Sequence, residues 1–404
     1  MPVITGLSGN EIFCLQLKGM IPGELVMGNS VYSMGFLGSI GSSFRSIVGG
    51  EVKAVTDMVH QGRQLSFQRL MEDAGRHGAD GITGVTSELV AHPQNVEFLS
   101  VGSAVHETEG AQGRIHFSTA SNAQDLYCAI DAGFLPTRFV FGNVCYTIGV
   151  GGGMLASLKA LGRGEIPEYT RMFNDTRRLA LDRMVEEARL AGANAVVGIK
   201  TSIVPFKQGL MQEMVMVGTA CQHPALPHNV CASSDLTGPE LWNMCHLGIA
   251  PLRLVLGASV YSLGMIGGFM AAMRGLRRGE ITELTALVYE ARERALQTLA
   301  KEAQACAADD VAGIKVYFYE LPNNLIEVLA IGTAVKRTAG VSTSSEQLPI
   351  QAVMDDKDTF FNAAEREMGS SLNRPTSLKN QASAGKNVKR GLDVLTIILK
   401  LLGG

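Results

Sequence analysis

Charge is scarce in this sequence. Asp, Glu, Lys and Arg make up 18% of its 404 residues, below the ~25% of an average soluble domain. A surface so thinly charged suits burial by assembly. The balance of 35 Lys and Arg against 38 Asp and Glu, net −3, leaves no basic excess for nucleic acid. The seven Cys, at 14, 128, 145, 221, 231, 245 and 306, form no even framework and read as reduced thiols of a cytoplasmic protein. The start, MPVITGLSGNEIF, has neither the charged nor the apolar stretch of a signal peptide. No apolar run reaches the ~20 residues of a spanning helix. Aromatic anchors are few, with one Trp, whereas Gly numbers 46. The chain therefore relies on tight turns and small-residue packing.

What the sequence does contain is one passage written three times. Tyr32, Tyr146 and Tyr261 lie 114 and 115 residues apart. The same steps separate Glu51, Glu165 and Glu280, then Pro22, Pro136 and Pro251, then Arg63, Arg177 and Arg292, then Gly84, Gly198 and Gly313. Gly102, Gly218 and Gly332 step by 116 and 114, which places a length change in the hairpin loop between the last two strands of a copy.

Each copy reads as β-β-α-α-β-β. The opening segments Ile12-Phe13-Cys14, Leu126-Tyr127-Cys128 and Leu241-Trp242-Asn243 read as strand starts. A second strand carries Leu25-Val26-Met27-Gly28, Phe139-Val140-Phe141-Gly142 or Leu254-Val255-Leu256-Gly257. A Gly-interrupted segment follows, with Phe36, Ile40, Phe44 and Ile47 at helical spacing in the first copy. Gly recurs at 35/149/264 and at 50/164/279, which suggests close backbone approach or a special dihedral. A long helix then carries Ile166, Tyr169, Phe173, Thr176, Ala180, Met184 and Ala188 on one stripe, a face made to pack on a sheet. Gly78 and Gly192 stop it, with Ala307 in the third copy. Two more strands close the domain. The fold class is α+β, each domain a mainly antiparallel sheet packed by a long helix. The domains run 10–106, 124–221 and 239–337, with linkers at 107–122 and 222–236. A flexible tail fills 339–404 and ends in a short amphipathic helix at about 388–402.

The Tyr–Gly anchor, the Gly-Glu helix start and the strand Gly192-Ala-Asn-Ala-Val-Val-Gly-Ile, followed by Val217-Gly-Thr-Ala and Ile331-Gly-Thr-Ala-Val, resemble the YbjQ-like family in every copy. That family is labelled heavy-metal-binding. The resemblance implies small α+β domains that assemble into rings, typically of five. Three covalently joined copies depart from a ring of separate chains, and stacked rings from several chains are one resolution.

The candidate chemistry is thin. Cys14 and Cys128 match in register, but Asn243 takes the third place, so no repeat-borne metal site recurs. Cys221, His223, His228 and Cys231 offer two thiols and two imidazoles, the ligand types of zinc, with a plain linker as the alternative. Gly149-Val-Gly-Gly-Gly-Met154 lacks the Gly-Lys-Ser/Thr of a phosphate loop, and the other copies lack its extra glycines, so helix packing explains it better. Arg45, Lys159 and Arg274 align as a solvated helix end. Arg63, Arg177 and Arg292 have no partnered base or nucleophile and read as bridges to a neighbouring domain. In the tail, Leu392, Leu395, Leu399 and Leu402 share a face that suits docking on protein, or a membrane surface as the second option. The expected function is a non-catalytic homo-oligomeric scaffold of rings or stacked rings, cytoplasmic or peripheral to a membrane, without cofactor or nucleic acid. The alternative is a metal-ion or small-ligand binding protein, with zinc or another soft divalent metal bound.

Overall fold

The computed structural model describes residues 2–33, 50–92, 95–109, 113–147, 164–205, 211–262, 282–321 and 325–354. The first repeat comprises α1 (Gly9–Gln16), β1 (Met20–Ser33), β2 (Gly50–Glu51), α2 (Lys53–Arg76), β3 (Gly81–Ala91) and β4 (Asn95–Glu107), followed by β5 (Phe117–Ser118). The second comprises α3 (Ala123–Asp131), β6 (Leu135–Thr147), β7 (Gly164–Glu165), α4 (Pro167–Leu190), β8 (Ala195–Pro205) and β9 (Met211–Gln222), followed by β10 (Ala232–Ser233). The third comprises α5 (Gly238–His246), β11 (Ile249–Ser262), α6 (Thr282–Ala305), β12 (Asp310–Leu321) and β13 (Leu325–Arg337), and α7 (Ile350–Val353) lies beyond it. Three α+β repeats with mainly antiparallel sheets are present, as expected. Among the described residues, no helix is long and apolar enough to cross a membrane.

One expectation changes. The opening segment of every copy is a helix, not a strand. Ser8 accepts from the Glu11 N–H while Glu11 accepts from the Ser8 N–H, and Thr237 and Glu240 repeat this capping box. Asn122 caps α3 through the Asp125 N–H. These reciprocal bonds satisfy the free amides of a first turn and outweigh the β-propensity of Phe13, Tyr127 and Trp242. The Gly-interrupted segments, including Phe36–Ile47, Gly149–Met154 and Arg45, Lys159 and Arg274, lie outside the described residues, as does most of the tail.

Within each repeat the first long strand pairs antiparallel with the last, which pairs with the strand before it: β1 with β4 and β4 with β3, then β6–β9–β8 and β11–β13–β12. The long helix lies across this sheet. Ile166, Tyr169, Phe173, Thr176, Ala180, Met184 and Ala188 are all buried, so the periodic stripe is the core face of α4. Gly28, Gly142 and Gly257 let strand and helix backbones touch: a Cβ on Gly142 would come inside 3.0 Å of the Ala180 carbonyl and Met184 amide. Gly84, Gly198 and Gly313 take φ of +67°, +62° and +64° where the pairing register shifts, the mark of a bulge that needs glycine.

The segments expected to be linkers are built into the sheets. β5 pairs parallel with β3, and β10 with β8. Thr119, Ser121, His223 and Ser234 are buried. The start of the tail is also ordered against the body, contrary to the expected flexibility from residue 339. Ser345 donates from its N–H and Oγ to Asp131, which also accepts from Lys18 Nζ (2.6 Å) and Trp242 Nε1 (2.8 Å). Burial works against this carboxylate's charge, but the Lys18, Trp242 and Ser345 donors hold its pKa below the ordinary value. A single buried Asp thus ties all three repeats to residues 339–354, which composition alone does not reveal.

Candidate functional site

Among the described residues, buried polar and ionic contacts concentrate between repeats. The face of α2 turned away from its own sheet packs on β6 of the next repeat, and α4 packs in the same way on β11. Twelve residues separate Glu51 from Arg63, so they leave the first repeat at different points. Glu51 lies just before the helix, in β2, which pairs with β6 of the second repeat. Gly50 there has φ +105°, and Gly164 at the matching place has φ +140°. These values account for the recurrence of glycine at that position. β7 pairs likewise with β11. Each of the first two repeats therefore lends a short strand to the sheet of the next.

Arg63 crosses the junction. Its Nε donates to Glu213 Oε1 at 2.9 Å and its Nη2 to Oε2 at 2.6 Å, a bidentate fork, while Nη1 donates to the carbonyl and hydroxyl of Ser87. Both partners are fully buried. One repeat later Arg177 makes the corresponding ion pair with Glu327, also buried. Burial pushes the Glu327 carboxyl up, and the Arg177 guanidinium opposes it. The expectation that these arginines bridge to neighbouring domains is met at both junctions.

Around the ion pairs, smaller contacts repeat. Thr56 Oγ1 accepts from the Cys145 N–H at 2.9 Å, and Thr170 Oγ1 from the Val260 N–H at 2.9 Å. Val52 N–H donates to the Cys145 carbonyl, and Ile166 N–H to that of Val260. At the first junction the His60 and Phe67 rings meet those of Phe141 and Phe139 at a tilt, with centroids 5.0 and 5.2 Å apart. At the second, Asn174 exchanges two hydrogen bonds with the backbone of Ala258. Gln64 reaches Glu187, and Arg178 reaches Glu302. Burial raises the Glu187 pKa, against the Phe141 N–H, Gln64 and Arg138, which favour the charge. A cleft of about 550 Å³ opens beside the first junction, lined by His60, Gln64, Phe67, His116 and Arg138 among others. Two hydroxyls in its lining have backbone partners: Ser118 accepts from the Phe139 N–H and Thr137 donates to the Ala220 carbonyl.

The four candidate metal ligands do not converge on one point, although Cys221 and Cys231 lie near enough for their charges to interact. Cys221 is fully buried at the end of β9, with Sγ facing the Thr219 carbonyl and its thiol pKa pushed up by burial. The buried His223 uses both ring nitrogens: Nε2 faces the Ala132 carbonyl at 3.1 Å, and Nδ1 accepts from the Ala225 N–H. Burial lowers its pKa against the Ala132 contact. His228 is exposed. Cys231 faces the Ala232 carbonyl, and burial raises its thiol to about 11. Among the described residues, no group of three or more His, Cys, Asp or Glu is placed to hold a metal ion. This arrangement does not fit a tetrahedral zinc site.

Comparison with known proteins bears on the repeats themselves. A family model described as "Putative heavy-metal-binding" matches residues 19–107, 136–223 and 249–338. The chain belongs to the YbjQ family. It is 36% identical over 224 residues, 53% of its own length and 83% of the relative's, to an "encapsulin nanocompartment protein" of Mycobacterium tuberculosis. It is 43% identical over 82 residues, 20% of its length and 68% of the relative's, to a UPF0145 protein of Methanocella arvoryzae. A UPF0145 protein of Methanococcus vannielii shares 45% over 84 residues, 20% of this chain and 76% of that one. The single-domain length of these UPF0145 matches fits a YbjQ unit that is used alone in some proteins and in tandem in this one.

Proposed function

We propose that this YbjQ-family chain is a non-catalytic homo-oligomeric scaffold whose copies join into rings or stacked rings. The observation that carries this reading is a difference between equivalent strands. Phe139, Phe141 and Cys145 of β6 are buried to 1% exposure or less, as are Leu254, Leu256 and Val260 of β11. Their counterparts Leu25, Met27 and Val31 of β1 are 39%, 54% and 57% exposed. A row of large apolar side chains left on one strand marks an interaction face. The scarcity of surface charge supports the same reading, as does the relative named for a nanocompartment, an assembled object. The absence of a reaction from the relatives' names, and the use of buried ionic groups to join repeats, support a structural role. In this reading Leu392, Leu395, Leu399 and Leu402, which the sequence spaces for one helical face and which lie outside the described residues, dock a protein partner or a membrane surface.

Light scattering on the full chain at micromolar concentration tests the proposal. The expected mass is a multiple of the 43.0 kDa chain. A strictly single-chain mass across that range would overturn it.

A further inference from the structure

The two junctions inside the chain share one pattern, and the chain ends on its two unmatched halves. Arg63, Arg177 and Arg292 occupy one position of the long helix, and Glu97, Glu213 and Glu327 one position of the last strand. Arg63 pairs forward with Glu213 and Arg177 pairs forward with Glu327. Within the chain, Arg292 has no following repeat and Glu97 has no preceding one. We propose that the third repeat's α6 docks on the β1 face of the first repeat in a second copy of this chain, with Arg292 paired to Glu97. The inference rests on the homo-oligomer reading and specifies its interface.

The surroundings of both residues agree. On α6, Thr285 holds the place of Thr56 and Thr170, Tyr289 that of His60 and Asn174, and Leu296 that of Phe67 and Leu181. Thr285, Tyr289 and Arg292 are exposed, whereas Thr56 and Arg63 are buried. The Arg292 guanidinium lies over the Tyr289 ring, 5.0 Å from its centroid. On the receiving side, Leu25, Met27 and Val31 are the apolar row just described, and β1 is the outer strand of its sheet. Glu97 stands between His92 Nε2 (3.0 Å) and Asn29 Nδ2 (3.1 Å), partly open to solvent, while Glu213 and Glu327 are closed off.

At one further position the third repeat carries a negative charge, and its compensation is present. Glu293 replaces Gln64 and Arg178, which reach the carboxylates of Glu187 and Glu302. At the matching place the first repeat has Asp73, a like charge. It also has Arg76, 2.8 Å from Asp73, where the other repeats have Leu190 and Ala305. The opening helices add a further link. Glu11 accepts from the Ala123 N–H and Asp125 from the Gly238 N–H, each at the first turn of the next repeat's helix. Glu240 occupies the same position and is aligned to meet the first turn of α1, at Gly9, in the next copy.

Such a contact joins two different faces, so it closes a ring or grows a filament according to its rotation. Every junction is then alike, and a closed ring of whole chains has a number of repeat positions divisible by three. A ring of five does not satisfy this.

Charge exchange tests the pairing. Arg292→Glu alone and Glu97→Arg alone should shift the mass by light scattering to the single-chain value, and the two together should restore the assembled mass. Met27→Glu, at an independent exposed position, should also give single chains. Melting curves check that each variant is folded. An assembled wild type whose mass survives both single exchanges and Met27→Glu overturns the interface and leaves the homo-oligomer reading standing. A wild type that is a single chain overturns both.

Discussion

Replacing Glu213 with Ala should destabilise the protein by about 3–5 kcal/mol, because it leaves the Arg63 guanidinium buried without its counter-charge. The fork from Arg63 is fully enclosed, so water cannot take over the lost bonds. A lowered urea midpoint with unchanged steepness would register the loss. The double replacement Arg63→Met, Glu213→Leu should recover most of it, since an apolar pair of similar volume avoids the desolvation cost of both ions. The contrast is the Arg76–Asp73 pair on the same helix. Arg76 is 73% exposed there, and the pair is worth at most ~1 kcal/mol.

The second large effect is steric. Gly142→Ala should cost about 3 kcal/mol, at the upper end for overpacking, because the atoms the new methyl would meet are helix backbone, which cannot rotate aside. Those atoms are the Ala180 carbonyl and the Met184 amide. Relief requires lifting α4 from β6, which would also disturb Arg177 and the junction with the third repeat. Gly75→Ala is the control. It lies within α2, a Cβ there meets nothing within 4 Å, and helix propensity alone predicts a gain of about 0.5–1 kcal/mol. Thermal melts of the two variants should therefore move in opposite directions.

Both positions show how far the sequence could be read. The register of the three copies, the core stripe of α4, the stops at Gly78 and Gly192 and the left-handed Ala307 at φ 54° are local properties, and periodicity exposes them. The opening helices were legible too, through Ser8 with Glu11 and Thr237 with Glu240, but the aromatic residues that follow, Phe13 and Trp242, invite a strand reading. The second buried face of each long helix was harder. Asn174, Arg177 and Leu181 do not form an apolar stripe, and their burial depends on a neighbouring repeat. The recurrence of Arg63, Arg177 and Arg292 pointed toward that neighbour. The partner column, Glu97, Glu213 and Glu327, lies at the start of the last strand of each repeat, and the unequal number of residues that separates that strand from the one before it hides its alignment. The docking of residues 339–354 was not legible, because it rests on hydrogen bonds to Asp131 and Gln124 and on a few scattered apolar residues, Val341 and Ala352 among them, that form no periodic stripe.

The most direct measurement is imaging of single particles of the full chain. The expected averages show evenly spaced repeats in numbers divisible by three, with junctions between chains indistinguishable from those within them. Isolated three-lobed particles would contradict this, and so would assemblies in which chains meet through any face other than α6 and β1.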